Sequence, residues 1–132
     1  MTDTQLLEMA KAAMKQAYAP YSGFSVGAAL LCEDGTIFTG CNIENASFGA
    51  TNCAERTALF KAVSEGYRCF TALAVIGGKD GVCSEYVTPC GICRQAYVEF
   101  CGDSLRIILG RDDGQIRVTT LGHLQPEAFR FG

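Results

Sequence analysis

Three segments with apolar residues at helical spacing alternate with five short β-type runs, and this interleaving restricts the chain to helices laid against a sheet. From Asp3 to Tyr18, the residues Leu6, Leu7, Met9, Ala10, Ala13, Met14 and Ala17 recur with the helical period, and Thr2 or Asp3 supplies a cap. Pro20, Ser22 and Gly23 end that helix. Val26 to Cys32 reads as a buried strand, joined through Glu33, Asp34 and Gly35 to a strand at Ile37 to Cys41, a hairpin. A polar loop from Asn42 to Asn52 precedes a second helix over Cys53 to Glu65, closed by Gly66. A third strand, Phe70 to Ile76, leads through the loop Gly77 to Pro89 into a third helix from about Cys90 to Cys101, stopped by Gly102. Strands at Leu105 to Leu109 and Ile116 to Thr120 flank a turn at Asp112, Asp113 and Gly114. The expected fold is α/β, a three-layer α/β/α sandwich around a five-stranded mixed sheet, in a single domain over residues 1–132.

Charge narrows the partners. A formal net charge of −3 provides no cluster of Lys and Arg for a phosphate backbone, so nucleic acid is not an expected partner. The residues Met1 to Gln5 are polar rather than a basic lead into an apolar run, and no apolar stretch approaches a membrane span, so no membrane partner and a cytoplasmic location are expected. Charged residues make up 19%, below the roughly 25% usual for soluble domains, which points to apolar surface that meets another subunit.

Eight cysteines in such a chain read as thiols for metal or catalysis rather than as disulfides. Cys90 and Cys93 stand three apart at the opening of a helix and present their sulfurs on one face. By itself this pair is also compatible with a redox couple or two buried small residues. Cys53-Ala54-Glu55-Arg56 at the start of another helix sharpens it, because two helix N-termini then converge on one ion. Partial positive charge at each N-terminus favours thiolate over thiol. Side chains in a first turn tilt back toward the helix mouth, so Glu55 lies beside the metal without ligating it.

Three cysteine ligands leave one tetrahedral position for water, which a metal turns into a nucleophile near neutral pH. Cys83, in the loop before Pro89, is the candidate for a fourth ligand that would close the site into a structural Cys₄ module used for binding. Three thiolates give the centre a formal negative charge, and Arg56 is expected to hydrogen-bond them and draw charge away; the alternative for Arg56 is an exposed helix residue. Cys32, Cys41, Cys69 and Cys101 read as buried apolar residues, and His123 is not assigned to the metal.

Cys53-Ala54-Glu55-Arg56 together with Pro89-Cys90-Gly91-Ile92-Cys93-Arg94-Gln95 resembles the zinc nucleoside deaminases. Pro20 to Ala29 and Asn42 to Ser47 are similar to the corresponding segments of the small homotetrameric cytidine deaminases, and the likeness covers nearly the whole chain. It implies Zn²⁺, one per subunit, deamination of cytidine and 2′-deoxycytidine in pyrimidine salvage, and a homotetramer. Glu55 is implied as the proton carrier between water, ring N3 and the departing amino group. Asn42 and Glu44 match residues that bind the ribose 3′-hydroxyl, Phe24 an aromatic that packs on the pyrimidine, and the backbone of Ala54 a contact to the base. The bland alternatives are loop capping for Asn42 and Glu44 and core packing for Phe24. Phe48 stands where related chains often carry Tyr, so any contact it makes with a neighbouring subunit's site is expected to be apolar, and Phe129 matches a C-terminal aromatic that closes the site across a subunit boundary; for Phe129 the alternative is plain interface packing. Within the same fold, deamination of another aminopyrimidine nucleoside such as blasticidin S is the competing activity, against which the Asn42 to Ser47 segment speaks.

Overall fold

Alternation along the strands separates two cores. The structure, a computed structural model, describes residues 1–131. Its elements are α1 (Asp3–Met14), β1 (Phe24–Cys32), β2 (Ile37–Cys41), a single 3₁₀ turn (Phe48–Ala50), α2 (Ala54–Ser64), β3 (Phe70–Lys79), α3 (Gly91–Val98), β4 (Arg106–Gly110), β5 (Ile116–Thr120) and α4 (Leu121–Leu124). The strands form one sheet in the order β2-β1-β3-β4-β5. Only β3 and β4 pair in parallel, and α3 lies in the connection between them.

Ala28 and Leu30 of β1, Leu73 and Val75 of β3, and Ile107 and Leu109 of β4 face the layer that contains Leu59 of α2 and Tyr97 of α3. Their neighbours Ala29, Ala72, Ala74, Ile76 and Ile108 face Leu6, Leu7, Ala10 and Met14 of α1. Helices thus cover both faces of a five-stranded mixed sheet, as the interleaved pattern anticipates. Each fully buried leucine in these layers stabilises the fold by about 2 kcal/mol.

Two glycines set how closely the helices approach. A Cβ on Gly27 would stand 1.9 Å from the Ala10 carbonyl oxygen, so α1 lies directly on β1. A Cβ on Gly40 would stand 2.6 Å from both Ala54 O and Ala58 N, which brings the first turn of α2 down onto β2. Gly40→Ala is therefore expected to lift that turn, lowering stability by about 3 kcal/mol in urea denaturation. It should also weaken metal retention, because Cys53 and Glu55 ride on the same turn; unchanged stability would contradict this packing.

Several boundaries differ from the sequence reading. The first helix stops at Met14 instead of continuing to Tyr18, because Tyr18 N–H donates to Asn42 O and Glu44 N–H donates to Tyr18 O, pulling the chain into a bridge with Ile43. Strands β1 and β3 are longer than expected, since each supplies the other's ladder partners from Phe24↔Lys79 to Cys32↔Phe70. The third helix begins one residue late and ends at Val98, and α4, which the sequence reading missed, is capped by the Thr120 hydroxyl on His123 N–H. Cys32 and Cys101 are buried as expected, whereas Cys41 is only half-buried and Cys69, just before β3, is exposed.

The start of β1 and the ends of β2 and β3 share one end of the sheet: Phe24 pairs with Lys79, and Gly27 with Cys41. Helix α2 begins there, against Gly40. The turn from Cys32 to Thr36 lies at the opposite end.

Candidate metal centre and active site

Cys53 and Cys90 are the N-caps of α2 and α3 rather than their first helical residues; both have extended backbones, with φ, ψ of −77°, 155° and −68°, 170°. Neither side chain caps its own helix, which leaves each sulfur free to point across the gap between the two helix mouths. The Cys53 and Cys90 sulfurs are 3.7 Å apart, those of Cys90 and Cys93 3.4 Å apart, and all three lie within 4.8 Å of one another. A tetrahedral zinc with 2.3 Å bonds to sulfur requires sulfur–sulfur edges of about 3.8 Å, so the three thiols have the spacing of a ligand set and not of a disulfide.

Hydrogen bonds from Cys93 and Arg56 prepare the set for metal. They bring the Cys53 thiol down to about 5, against a desolvation cost from its partial burial. Cys93, fully buried and sharing its proton with Cys53, is pushed up from the ordinary thiol value. Arg56 Nη2 lies 3.5 Å from Cys53 Sγ, placing the guanidinium where it can offset thiolate charge. The Nε atoms of Arg56 and Arg94 are buried with no hydrogen-bond partner among the described residues.

Glu55 is the one buried charged residue among those described, 4% exposed, in the first turn of α2. Burial pushes its carboxyl up to about 7, with the nearby Cys53 adding to the rise and Arg56 opposing it. The backbone carbonyl of Glu55 accepts a 2.8 Å hydrogen bond from the hydroxyl of Tyr97, a fully buried α3 residue that the sequence reading took only as part of a helix. This bond ties α2 to α3 directly behind the sulfur cluster.

A cavity of about 250 Å³ opens in front of the cluster, lined by Phe24, Asn42, Glu44, Cys53, Ala54, Glu55 and Cys90. Ser22, Val26, Thr51, Asn52, Val87 and Thr88 complete it. Residues from the Pro20 to Ala29 and Asn42 to Ser47 segments therefore meet the metal motifs in one place. Asn42 accepts from Val26 N–H at 2.9 Å and donates to Phe24 O at 2.8 Å. Glu44 accepts from the backbone N–H groups of Tyr21 and Ser22 at 2.9 and 3.1 Å and from the Ser22 hydroxyl at 2.5 Å. These bonds, the one from Ser22 Oγ foremost, hold the Glu44 carboxyl below its ordinary range. The loop-capping alternative for both residues is thus realised, and it coexists with their place on the cavity wall.

Phe48 and Phe129 lie elsewhere. Phe48 is 84% exposed beside an adjoining hollow that shares Ser22, Glu44 and Thr51 with the cavity, and Phe129 is 65% exposed with its carbonyl accepting from Gln95. Cys83 does not join the cluster: its sulfur is buried against Met14 Sδ at 3.7 Å, in the core on the α1 side of the sheet. Closure of the metal site by Cys83 is overturned by that placement, since the whole sheet separates it from Cys53, Cys90 and Cys93.

Residues 1–109 match the family model described as the cytidine and deoxycytidylate deaminase zinc-binding region. The chain belongs to that family. A cytidine deaminase of Sporosarcina psychrophila is 54% identical over 125 residues, covering 95% of this chain and 89% of the relative. The cytidine deaminase of Halalkalibacterium halodurans is 49% identical over 129 residues, covering 98% and 95%. The crystal structure of cytidine deaminase from Burkholderia pseudomallei superposes with a TM-score of 0.90 at 51% identity, covering 98% of this chain and 100% of that one. Within this deaminase family the metal is zinc, and the spacing and chemistry of the three thiols fit it. Of the lining residues, Ser22, Val26, Thr51, Asn52, Val87 and Thr88 were given no site role by the sequence reading; Ser22 and Val26 lay inside Pro20 to Ala29, a segment already singled out, and the others carry ordinary loop residue types.

Proposed function

We propose that the chain catalyses hydrolytic deamination of cytidine and 2′-deoxycytidine to uridine and 2′-deoxyuridine, with release of ammonia. The observation that carries this reading is a buried carboxyl near neutral pKa, Glu55, sharing one cavity with a three-thiol cluster and with the polar pair Asn42 and Glu44. Zinc held by Cys53, Cys90 and Cys93 supplies the Lewis acidity that makes water nucleophilic near neutral pH.

Glu55 does the proton work. As carboxylate it takes the proton that attacking water sheds, and as carboxylic acid it delivers that proton to ring N3 while the oxygen bonds to C4. It then carries the remaining water proton to the amino group, which leaves as ammonia when the C4–N bond breaks. A pKa of about 7 suits a group that must both accept and donate. Burial excludes solvent that would compete for those protons.

The sugar is read by what the loop leaves unused. A carboxylate offers about four acceptor positions, and three hydrogen bonds from Tyr21 and Ser22 leave Glu44 one. Asn42, with one amide N–H on Phe24 O, keeps one donor. One acceptor beside one donor complements a single hydroxyl, which we assign to the ribose 3′ position. Phe24 supplies an apolar wall for the pyrimidine, and the Ala54 backbone, at the open first turn of α2, a polar contact to the base.

We further propose a homotetramer with one zinc per subunit, working in the cytoplasm in pyrimidine salvage. Exposed apolar side chains support the assembly: Ile92 (66%), Phe48, Phe129 and Phe131 (94%) leave apolar surface uncovered, with the rings of Phe129 and Phe131 side by side. No helix among the described residues is long and apolar enough to cross a membrane, and the net charge of −3 disfavours a polynucleotide.

Incubation with cytidine, deoxycytidine, cytosine, CMP and blasticidin S, followed by loss of the aminopyrimidine absorbance, tests the substrate. Both nucleosides are expected to react, and cytosine, lacking the sugar, at least about 100-fold more slowly. Inactivity on both nucleosides would overturn the proposal, and faster turnover of blasticidin S would reassign the substrate.

A further inference from the structure

Ser22 makes more hydrogen bonds at the cavity mouth than any role as a turn residue needs. Its N–H and its hydroxyl both donate to Glu44, to Oε1 at 3.1 Å and Oε2 at 2.5 Å. The same hydroxyl oxygen accepts the Phe24 N–H at 3.0 Å, and the Ser22 carbonyl accepts from Lys79 Nζ at 2.8 Å. Gly23, at φ +69°, supplies the left-handed residue that lets the chain double back so that one oxygen serves both neighbours. Phe24 N–H to Ser22 Oγ–H to Glu44 Oε2 is therefore a directed chain joining the residue that walls the base to the residue that reads the sugar.

Resting on the nucleoside reading above, we propose that Ser22 is a positioning residue that sets specificity for the sugar: it orients Glu44 so that its one vacant acceptor position meets the 3′-hydroxyl. The direction of the bond matters. The Ser22 hydroxyl gives its one proton to Oε2, which completes three contacts that fix the carboxylate plane; the carboxylate, an acceptor only, then offers its fourth position in a set direction to a donating substrate hydroxyl. Without the serine hydroxyl, Oε2 turns to water, and the group that should meet the sugar is no longer held. The contact most affected is to the 3′-hydroxyl, and Glu55 and the thiols are untouched.

The experiment compares cytidine with 3′-deoxycytidine for the zinc-loaded protein and for Ser22→Ala, Ser22→Cys and Ser22→Thr. Ser22→Ala is expected to lower kcat/KM for cytidine about tenfold, mostly through KM, while 3′-deoxycytidine changes by less than about twofold. Ser22→Thr restores the hydroxyl and is expected to recover most of the loss. Ser22→Cys, with a weak donor of similar size, should behave like Ser22→Ala and serves if the alanine variant folds poorly. An equal loss on both nucleosides, or no loss on either, would overturn the proposal by showing that Ser22 supports the loop generally or not at all. Failure of the unsubstituted protein to deaminate either nucleoside would overturn the functional reading, and this inference with it.

Discussion

Glu55→Gln is expected to bind zinc at the level of the unsubstituted chain while losing about 10⁴-fold in turnover. The amide matches the carboxyl in shape, so packing in the first turn of α2 and the Tyr97 bond to the Glu55 backbone carbonyl both survive. What disappears is the one buried group among the described residues whose pKa of about 7 allows it to gain and lose a proton during a cycle. A single general acid–base transfer contributes up to about 10⁴-fold, and in the proposed reaction one carboxyl serves successive transfers, which argues for the upper end of that range. Stability should hold or rise, since a carboxyl that burial disfavours gives way to a neutral amide. Metal analysis, thermal melting and a cytidine assay on one preparation check this, and residual turnover above about one per cent would require another proton carrier.

Cys93→Ala is expected to abolish zinc retention. Cys93 is the buried member of the cluster, 0% exposed, and its sulfur contacts that of Cys90 at 3.4 Å. Its loss leaves two cysteines on the caps of separate helices, with nothing between them to close the ring. Substitution of groups that merely support a ligand costs about 10- to 100-fold in metal affinity, so removal of a ligand should cost more than about 100-fold. Competition with a chromogenic chelator measures it. Cys83→Ala is the control: it lies in the other core, on the α1 side of the sheet, and should lose stability through its cavity while keeping the metal. Equal zinc loss in both variants would contradict the assignment of the ligands.

The layering was legible because it depends on periodicity. Alternation in β1, β3 and β4 places Leu30, Val75 and Leu109 on one side and Ala29, Ala74 and Ile108 on the other, a local property of each strand. The gathering of Cys53, Cys90 and Cys93 was legible because cysteine, proline and glutamate at those spacings have few other uses. Contacts that long-range geometry creates were not. Nothing local in Lys15 to Tyr18 forbids helix, yet the bridge from Tyr18 to Ile43 ends it. Tyr97 reads as one more apolar position in α3, and only the approach of α2 gives its hydroxyl the Glu55 carbonyl. Cys69 resembles the buried cysteines in sequence, yet it sits exposed just ahead of β3. Ser22 looked like turn punctuation until Glu44 arrived beside it from a different segment.

The chain turns back between β1 and β2 through Asp34 and Gly35, with Gly35 at φ +93° and open space around it, at the end of the sheet away from the cavity and the thiol cluster. Such a bend is a natural socket for cargo. A peptide tag or a whole guest domain spliced in at this point would hang clear of the nucleoside's path, so the host could be immobilised or fused by its back while its front stays open to solvent.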